Sequence, residues 1–170
     1  MRRSIVLTFS KEGGAWLISG VQLAEYDPGV EWTTATSTDG VEFQYPESLT
    51  TQFILPQNWP PTLSVQNGNL KCMEGTIDGV SGQPMQTKKI QIEDREYCLA
   101  TSSDPALGIV YVHMVYATLY GGKVVQADFT LRYPECMNYK EPNRSACTKE
   151  QGSFDINGVV DRIVQSVKLP

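Results

Sequence analysis

The chain has 170 residues, 41% of them hydrophobic, and its 14 basic and 19 acidic side chains give a net charge of −5. This length fits one domain, or one domain with a small appendage, and suffices to bury a core without metals or cross-links. Because the basic residues form only scattered pairs, a nucleic-acid partner is disfavoured, and no apolar run reaches the roughly 18 residues of a membrane span.

The first 26 residues predict a β-hairpin. Ser4 to Ser10 alternates apolar and polar side chains, Lys11–Gly14 is a turn signal, and the return strand runs from Ala15 to Glu25 with a candidate bulge at Gly20. This hairpin resembles the final hairpin of nuclear-transport-factor-like domains, where a strand, a short glycine-containing turn and a tryptophan strand recur. It is therefore expected to be a unit of its own or the end of a longer domain.

A linker is predicted over residues 27–39. Tyr26–Gly29 is a strong turn signal, and Thr33–Gly40 is polar and linker-like. Residues 40–170 then form the predicted main domain.

The first half of the main domain shows only short strand signals. They lie at Val41–Pro46, Phe53–Leu55, Leu63–Val65, Lys89–Ile92 and Tyr97–Ala100. Because proline has no N–H donor, the segment around Trp59-Pro60-Pro61 is predicted at an edge of the sheet or in a loop.

The strongest signal is a long hairpin from Ile109 to Tyr133. Its first arm carries large apolar residues on both faces, which predicts a central strand that is covered on both sides. Gly121-Gly122 supplies the positive φ angles of a tight turn. The return arm alternates between a dry face (Val125, Ala127, Phe129, Leu131, Tyr133) and a wet face (Gln126, Asp128, Thr130, Arg132).

A polar loop is predicted from Pro134 to Cys147, and one helix follows it. Asp155 suits the helix N-cap. Apolar residues at three- and four-residue spacing predict a sheet-facing stripe, and the polar residues between them an outer face. The stripe consists of Val159, Val160, Ile163, Val164 and Val167, and the outer face of Asp161, Arg162, Gln165 and Lys168. The predicted fold class is α+β: an antiparallel sheet with a C-terminal amphipathic helix packed on one face, plus the N-terminal β-hairpin.

The cysteines are Cys72, Cys98, Cys136 and Cys147. No CxxC pair and a single histidine disfavour zinc. The preferred disulfide pairing is Cys72–Cys98 with Cys136–Cys147, because each bond closes a local loop. Disulfides predict an extracytoplasmic protein (periplasmic, cell-surface or secreted), with four free thiols in a cytoplasmic protein as the alternative. No signal peptide follows Met1-Arg2-Arg3, so the export signal is expected to be absent from this chain.

Two series of residues carry a family resemblance. They are Asp39–Glu47 with Trp59-Pro60-Pro61, Cys72 and Cys98, and Phe129–Tyr133 with Cys136, Cys147, Phe154-Asp155 and Val160–Ile163. Together they resemble uncharacterised exported or lipoprotein domains of bacteria and, more distantly, the PsbP-like fold. The resemblance implies an exported location and an antiparallel sheet with helices on it. PsbP-like proteins mostly act as accessory or binding subunits.

Catalytic and metal motifs are weak. His113, the one histidine, would need a nucleophile and an orienting carboxylate, and no GxSxG-like motif supplies them. Asp155–Gly158 faintly resembles a calcium loop, but Ser166 occupies the position of the required acid, so capping is the preferred interpretation. Glu93–Glu96 is interpreted as a solvated turn. No cofactor or metal is predicted.

The predicted function is that of a non-enzymatic extracytoplasmic accessory or binding domain whose partner is an envelope protein or a cell-surface component. The alternative is a small hydrolase that uses His113 with a carboxylate. Trp59, Tyr45 and Tyr120 are the candidate binding residues, because amphipathic aromatic side chains suit interfaces. For Trp59, a lid over the open end of the core is the competing interpretation.

Overall fold

The computed structural model describes residues 4–12, 15–24, 31–79 and 83–169, with side chains from residue 31 onward. The predicted turn at Tyr26–Gly29 lies outside these ranges. The strands are β1 (Ser4–Glu12), β2 (Ala15–Ala24), β3 (Trp32–Thr36), β4 (Glu42–Pro46), β5 (Leu55–Pro56), β6 (Thr62–Gln66), β7 (Gly75–Asp78), β8 (Pro84–Ile92), β9 (Arg95–Ala106), β10 (Ile109–Tyr120) and β11 (Lys123–Pro134). The α-helices are α1 (Asn143–Ser153) and α2 (Ile156–Gln165), and a short 3₁₀ helix covers Cys136–Asn138.

The α+β fold class and the N-terminal hairpin are confirmed. β1 and β2 pair antiparallel, and their register shifts between Thr8 and Phe9, which pair with Gly20 and Ile18. The shift leaves an extra residue beside Gly20, which is the bulge that the glycine predicted.

The linker prediction is wrong for residues 32–36, which form β3 and pair antiparallel with β4. The polar run that suggested a linker is rich in threonine, and β-branched side chains suit a half-buried pleated strand. The division of the chain at residues 27–39 stays a prediction.

The main sheet has seven antiparallel strands in the order β7-β8-β9-β10-β11, with β5 and β6 both paired to β11. β10 is central, and the proline-rich segment between β5 and β6 lies at an edge; both positions were predicted. β8 and β9 extend well beyond their short sequence signals. Pairing with neighbouring strands supplies the hydrogen bonds that local propensity did not indicate.

The β10–β11 hairpin sets the two faces of this sheet. Gly121 and Gly122 have φ of 56° and 77°, as the predicted turn requires. The resulting register places Tyr116 opposite Ala127 and His113 opposite Thr130. We call the side that carries Tyr116 and Ala127 the first face, and the side that carries His113 and Thr130 the second face.

The hydrophobic core lies under the first face. Val125, Ala127, Phe129 and Leu131 are fully buried there, which confirms the dry side of β11. The apolar stripe of α2 and the inner side of β4 cover them; the buried residues contributed are Val160, Ile163, Val164, Val167, Val41 and Phe43. Asp155 caps α2 as predicted, its side chain accepting a hydrogen bond from the Gly158 N–H at 3.1 Å.

The predicted outer face of α2 is wrong at Asp161, which is only 3% exposed. Its carboxylate accepts hydrogen bonds from Arg95 Nη1 and the Tyr97 hydroxyl, each at 2.6 Å. Gln165 Nε2 donates to the second carboxylate oxygen at 2.6 Å. Burial, with the hydrogen bond to Asp161, raises the pKa of Tyr97, so its hydroxyl keeps the proton that it donates. The buried charge is tolerated because it is paired and fully hydrogen-bonded.

Helix α1 was missed by the sequence, which predicted a polar loop there. Cys147 is its one buried residue, and it forms a disulfide with Cys136. At the other end of the helix, the Glu150 carboxylate accepts the backbone N–H groups of Gln52, Phe53 and Ile54 at 2.7, 2.7 and 2.9 Å. Long-range contacts therefore hold a helix that has almost no apolar stripe of its own.

Candidate functional site

Both disulfides are present in the predicted pairing, and no cysteine is free. The Cα atoms are 5.3 Å apart in Cys72–Cys98 and 5.6 Å apart in Cys136–Cys147. The first bond ties the segment before β7 to β9, and the second ties the 3₁₀ helix to α1.

Two of the predicted binding residues, Tyr45 and Trp59, lie together against the core, with ring centroids 6.4 Å apart. The Trp59 ring packs edge-on against Phe129 at 5.8 Å, and its indole N–H donates to the Pro46 carbonyl at 2.7 Å. This geometry supports the interpretation of Trp59 as a lid.

The third predicted residue, Tyr120, lies elsewhere, at the end of β10. Its hydroxyl donates to the Gln165 carbonyl at 3.0 Å, and the Arg95 guanidinium lies 5.3 Å from its ring centroid. The structure therefore joins Tyr45 with Trp59 but not with Tyr120. A binding role for these three residues stays a prediction.

The second face of β10 is not covered as expected. All of its side chains remain at least partly exposed; they are Ile109, Tyr111, His113, Val115, Ala117 and Leu119. Leu119 is 48% exposed. The second-face side chains of β11 are likewise unburied. Because α2 and β4 pack on the first face, the apolar residues on the other side of the central strand are left half in solvent.

His113 lies in the middle of this face and contacts Asp128. Nε2 of His113 is 2.7 Å from Oδ1 of Asp128, and the two side chains are 33% and 39% exposed. The sequence singled out His113 but not Asp128 as its partner. The sequence did contain a signal for this pairing, because the two-residue turn fixes the register of β10 and β11. In that register Asp128 lies opposite Val115, which follows His113 on the same face of β10.

A hydroxyl group stands on each side of His113. Ser102 of β9 and Thr130 of β11 are directly opposite it. In the part of the chain that the structure describes, however, Asp128 is the hydrogen-bond partner of the imidazole. The site thus contains an oriented histidine without a contacting nucleophile.

Tyr111 lies two residues along β10 from His113. It pairs directly with Asp104 of β9 and Arg132 of β11, both exposed. Within the described chain none of these three side chains has a hydrogen bond, ion pair or ring contact. The Tyr111 side chain, whose cross-strand neighbours are an acidic and a basic residue, is therefore free to meet a ligand.

The described residues offer few other sites. No group of three or more His, Cys, Asp or Glu side chains among them is placed to hold a metal. A shallow cleft of about 330 Å³ beside Arg95 is lined mainly by charged side chains and Leu119. Neither α-helix in these ranges has the length and apolar character to cross a membrane.

No protein-family model, curated protein or solved structure matches the chain. The likeness to exported bacterial, PsbP-like and nuclear-transport-factor-like domains therefore stays a prediction.

Proposed function

We propose that the chain is a non-enzymatic binding domain that works outside the cytoplasm and docks on a component of the cell envelope through the second face of β9, β10 and β11. One observation carries the proposal: β10 has the composition of a strand covered on both sides, but its buried residues, Tyr116 and Thr118, both lie on the first face. Val115, Ala117 and Leu119 form an apolar strip along it that remains partly exposed.

When a partner covers an exposed apolar strip on a sheet, the free energy of the system falls by about 25 cal/mol per Å² of apolar surface removed from water. Such strips therefore mark interaction sites more often than isolated apolar residues do. The polar groups around the strip, such as the His113–Asp128 pair, would supply the directional contacts of an interface.

The disulfides support the location. All four cysteines are paired, and such bonds persist in oxidising compartments while cytoplasmic reductants remove them. An extracytoplasmic domain that docks by a partly exposed sheet face fits an accessory subunit better than an enzyme with an enclosed substrate site.

Val115→Arg tests the docking surface, since it places a charge at the end of the strip that lies next to His113. Ala146→Arg, on the exposed side of α1, adds the same group elsewhere. The assay measures binding of a detergent-solubilised envelope extract from the source cells to the immobilised protein. We expect wild type and Ala146→Arg to bind the extract and Val115→Arg to lose binding. The melting temperature of Val115→Arg should stay within a few degrees of wild type. Equal binding by all three proteins would refute the docking surface.

A hydrolase is the second candidate, and the 2.7 Å contact between His113 and Asp128 favours it. Asp128 orients the imidazole and leaves Nδ1 to take a proton from water or a substrate. Hydrolysis of p-nitrophenyl acetate, measured for wild type, His113→Ala and Asp128→Asn, separates the candidates. We expect no difference among them; turnover that His113→Ala abolishes without loss of stability would establish the enzyme instead.

A further inference from the structure

We infer that the second face binds a neutral polysaccharide strand, with Tyr111 as the platform on which a sugar ring stacks. This inference rests on the proposed docking function and names the class of its partner. Three features support it: the free side chains around Tyr111, the low net charge around them and the partly exposed rows of side chains along the face.

The groups around Tyr111 match the two kinds of surface on a sugar. Directly opposed side chains in an antiparallel pair stand about 4.5–5.5 Å apart at Cβ, so Asp104 and Arg132 flank the tyrosine ring on its two sides. A pyranose has an apolar face of C–H bonds, which suits an aromatic ring, and a rim of hydroxyl groups. A carboxylate accepts from such hydroxyls, and a guanidinium donates to them in a planar fork.

The charges on this face favour a neutral ligand. Asp104 and Asp128 outnumber Arg132 by a single negative charge, so this part of the face carries little net charge, while the whole chain carries −5. A polyanion would find a single arginine among acidic groups, and phosphate-rich ligands need a basic stripe instead. A strongly cationic chain would meet Arg132 at the centre of the site.

The shape of the face favours a polymer over a single sugar. The His113–Asp128 pair lies two residues beyond Tyr111, which is about 7 Å along the strand. That spacing lets neighbouring sugar units contact neighbouring rows of side chains. On an exposed sheet face one sugar unit makes few contacts, so several rows must contribute to useful affinity.

Calorimetric titration with chitohexaose and cellohexaose tests the inference. We expect at least one hexasaccharide to bind wild type, Tyr111→Ala to weaken that binding at least about tenfold, and Tyr111→Phe, which keeps the ring, to change it less than about threefold. Arg132→Ala should also weaken it. Ala146→Arg, on the exposed side of α1 and outside this face, is the control and should leave it unchanged.

Three results would overturn the inference: no binding of either hexasaccharide, binding that Tyr111→Ala leaves intact in a folded protein, or preferential binding of dextran sulfate. These outcomes are separable from failure of the docking surface. If Val115→Arg abolishes envelope binding but neither hexasaccharide binds, the face docks on a protein and only the glycan inference fails. If the envelope extract fails to bind at all while a hexasaccharide binds through Tyr111, the site stands and the envelope partner is wrong.

Discussion

Asp161 is the residue whose environment departs most from its sequence pattern. It lies on a helix position that the amphipathic spacing assigns to solvent, yet its carboxylate is buried between Arg95, Tyr97 and Gln165. The ion pair with Arg95 joins α2 to the start of β9, and the Arg95 side chain is itself only 19% exposed. Removing one partner of such a pair leaves the other charge without compensation.

We expect Asp161→Ala to lower the free energy of unfolding by about 3–5 kcal/mol, because Arg95 then loses its counter-ion in a half-buried position. Urea unfolding measures the loss. Arg162→Ala, the next residue, is the control; its guanidinium stacks 4.0 Å above the Trp32 ring, a surface contact worth about 0.5–1 kcal/mol. Similar losses in both variants would show that Asp161 is not a paired buried charge. Gln165→Asp would not serve as a neutral control, because it sets a second carboxylate against Asp161.

Trp59→Ala separates a lid from a binding anchor. With its ring against Phe129 and its N–H bonded to Pro46, truncation should cost about 3–5 kcal/mol of folding free energy. Thermal and urea unfolding measure this loss, and blue-shifted Trp59 emission, read in a background without Trp16 and Trp32, checks burial independently. A variant that melts like wild type but loses binding of the envelope extract would make Trp59 an anchor instead.

At the scale of elements, α1 depends on contacts at its two ends. A helix of this length with a polar sequence is marginal on its own. The Cys136–Cys147 bond holds its first half, and the Glu150 carboxylate holds its last turn to the loop before β5.

Glu150→Ala should therefore leave three backbone N–H groups, those of Gln52, Phe53 and Ile54, without their acceptor and cost about 2–3 kcal/mol. Hydrogen exchange at these three amides is the specific readout and should accelerate in the variant. The neighbouring Lys149→Ala removes an exposed side chain and should stay within about 0.5 kcal/mol of wild type. Unchanged exchange at residues 52–54 would mean that the carboxylate does not hold this loop.

At the scale of the whole molecule, the disulfides close loops of 26 and 11 residues. Chain-entropy arguments give about 3.5 kcal/mol for Cys72–Cys98 and about 2.8 kcal/mol for Cys136–Cys147. We expect the Cys72→Ala/Cys98→Ala double variant to lose slightly more unfolding free energy than Cys136→Ala/Cys147→Ala. The core should still fold without either bond, because a chain of this length buries enough surface.

Intact mass provides the direct check on the bonds themselves. Protein purified under oxidising conditions should take up alkylating reagent at four thiols only after denaturation and reduction. Labelling of thiols before reduction would show that the disulfides are absent, and the support for an extracytoplasmic location would be lost with them.

Local pattern was enough to predict the fold wherever hydrophobic periodicity and turn chemistry agreed. The Gly121-Gly122 turn and the alternation from Val125 to Leu131 predicted the central hairpin and its dry face. Asp155 and the spacing of Val160, Ile163 and Val164 predicted α2 and its buried stripe. Part of the candidate site was also readable, because the same register brings His113 and Asp128 onto one face.

What local pattern missed depends on partners distant in the chain. A threonine-rich segment became β3 because β4 was available to pair with it, and a polar segment became α1 because Cys136 and residues 52–54 hold it. The burial of Asp161 required Arg95, more than sixty residues earlier, to lie opposite it. Hydrophobic periodicity thus determined which residues prefer to leave water. Only the tertiary structure decided which polar groups find partners in the core, and that one face of β10 stays partly exposed. The physical reason is that apolar burial is non-directional and visible in composition, while hydrogen bonds and ion pairs require specific atoms at specific distances.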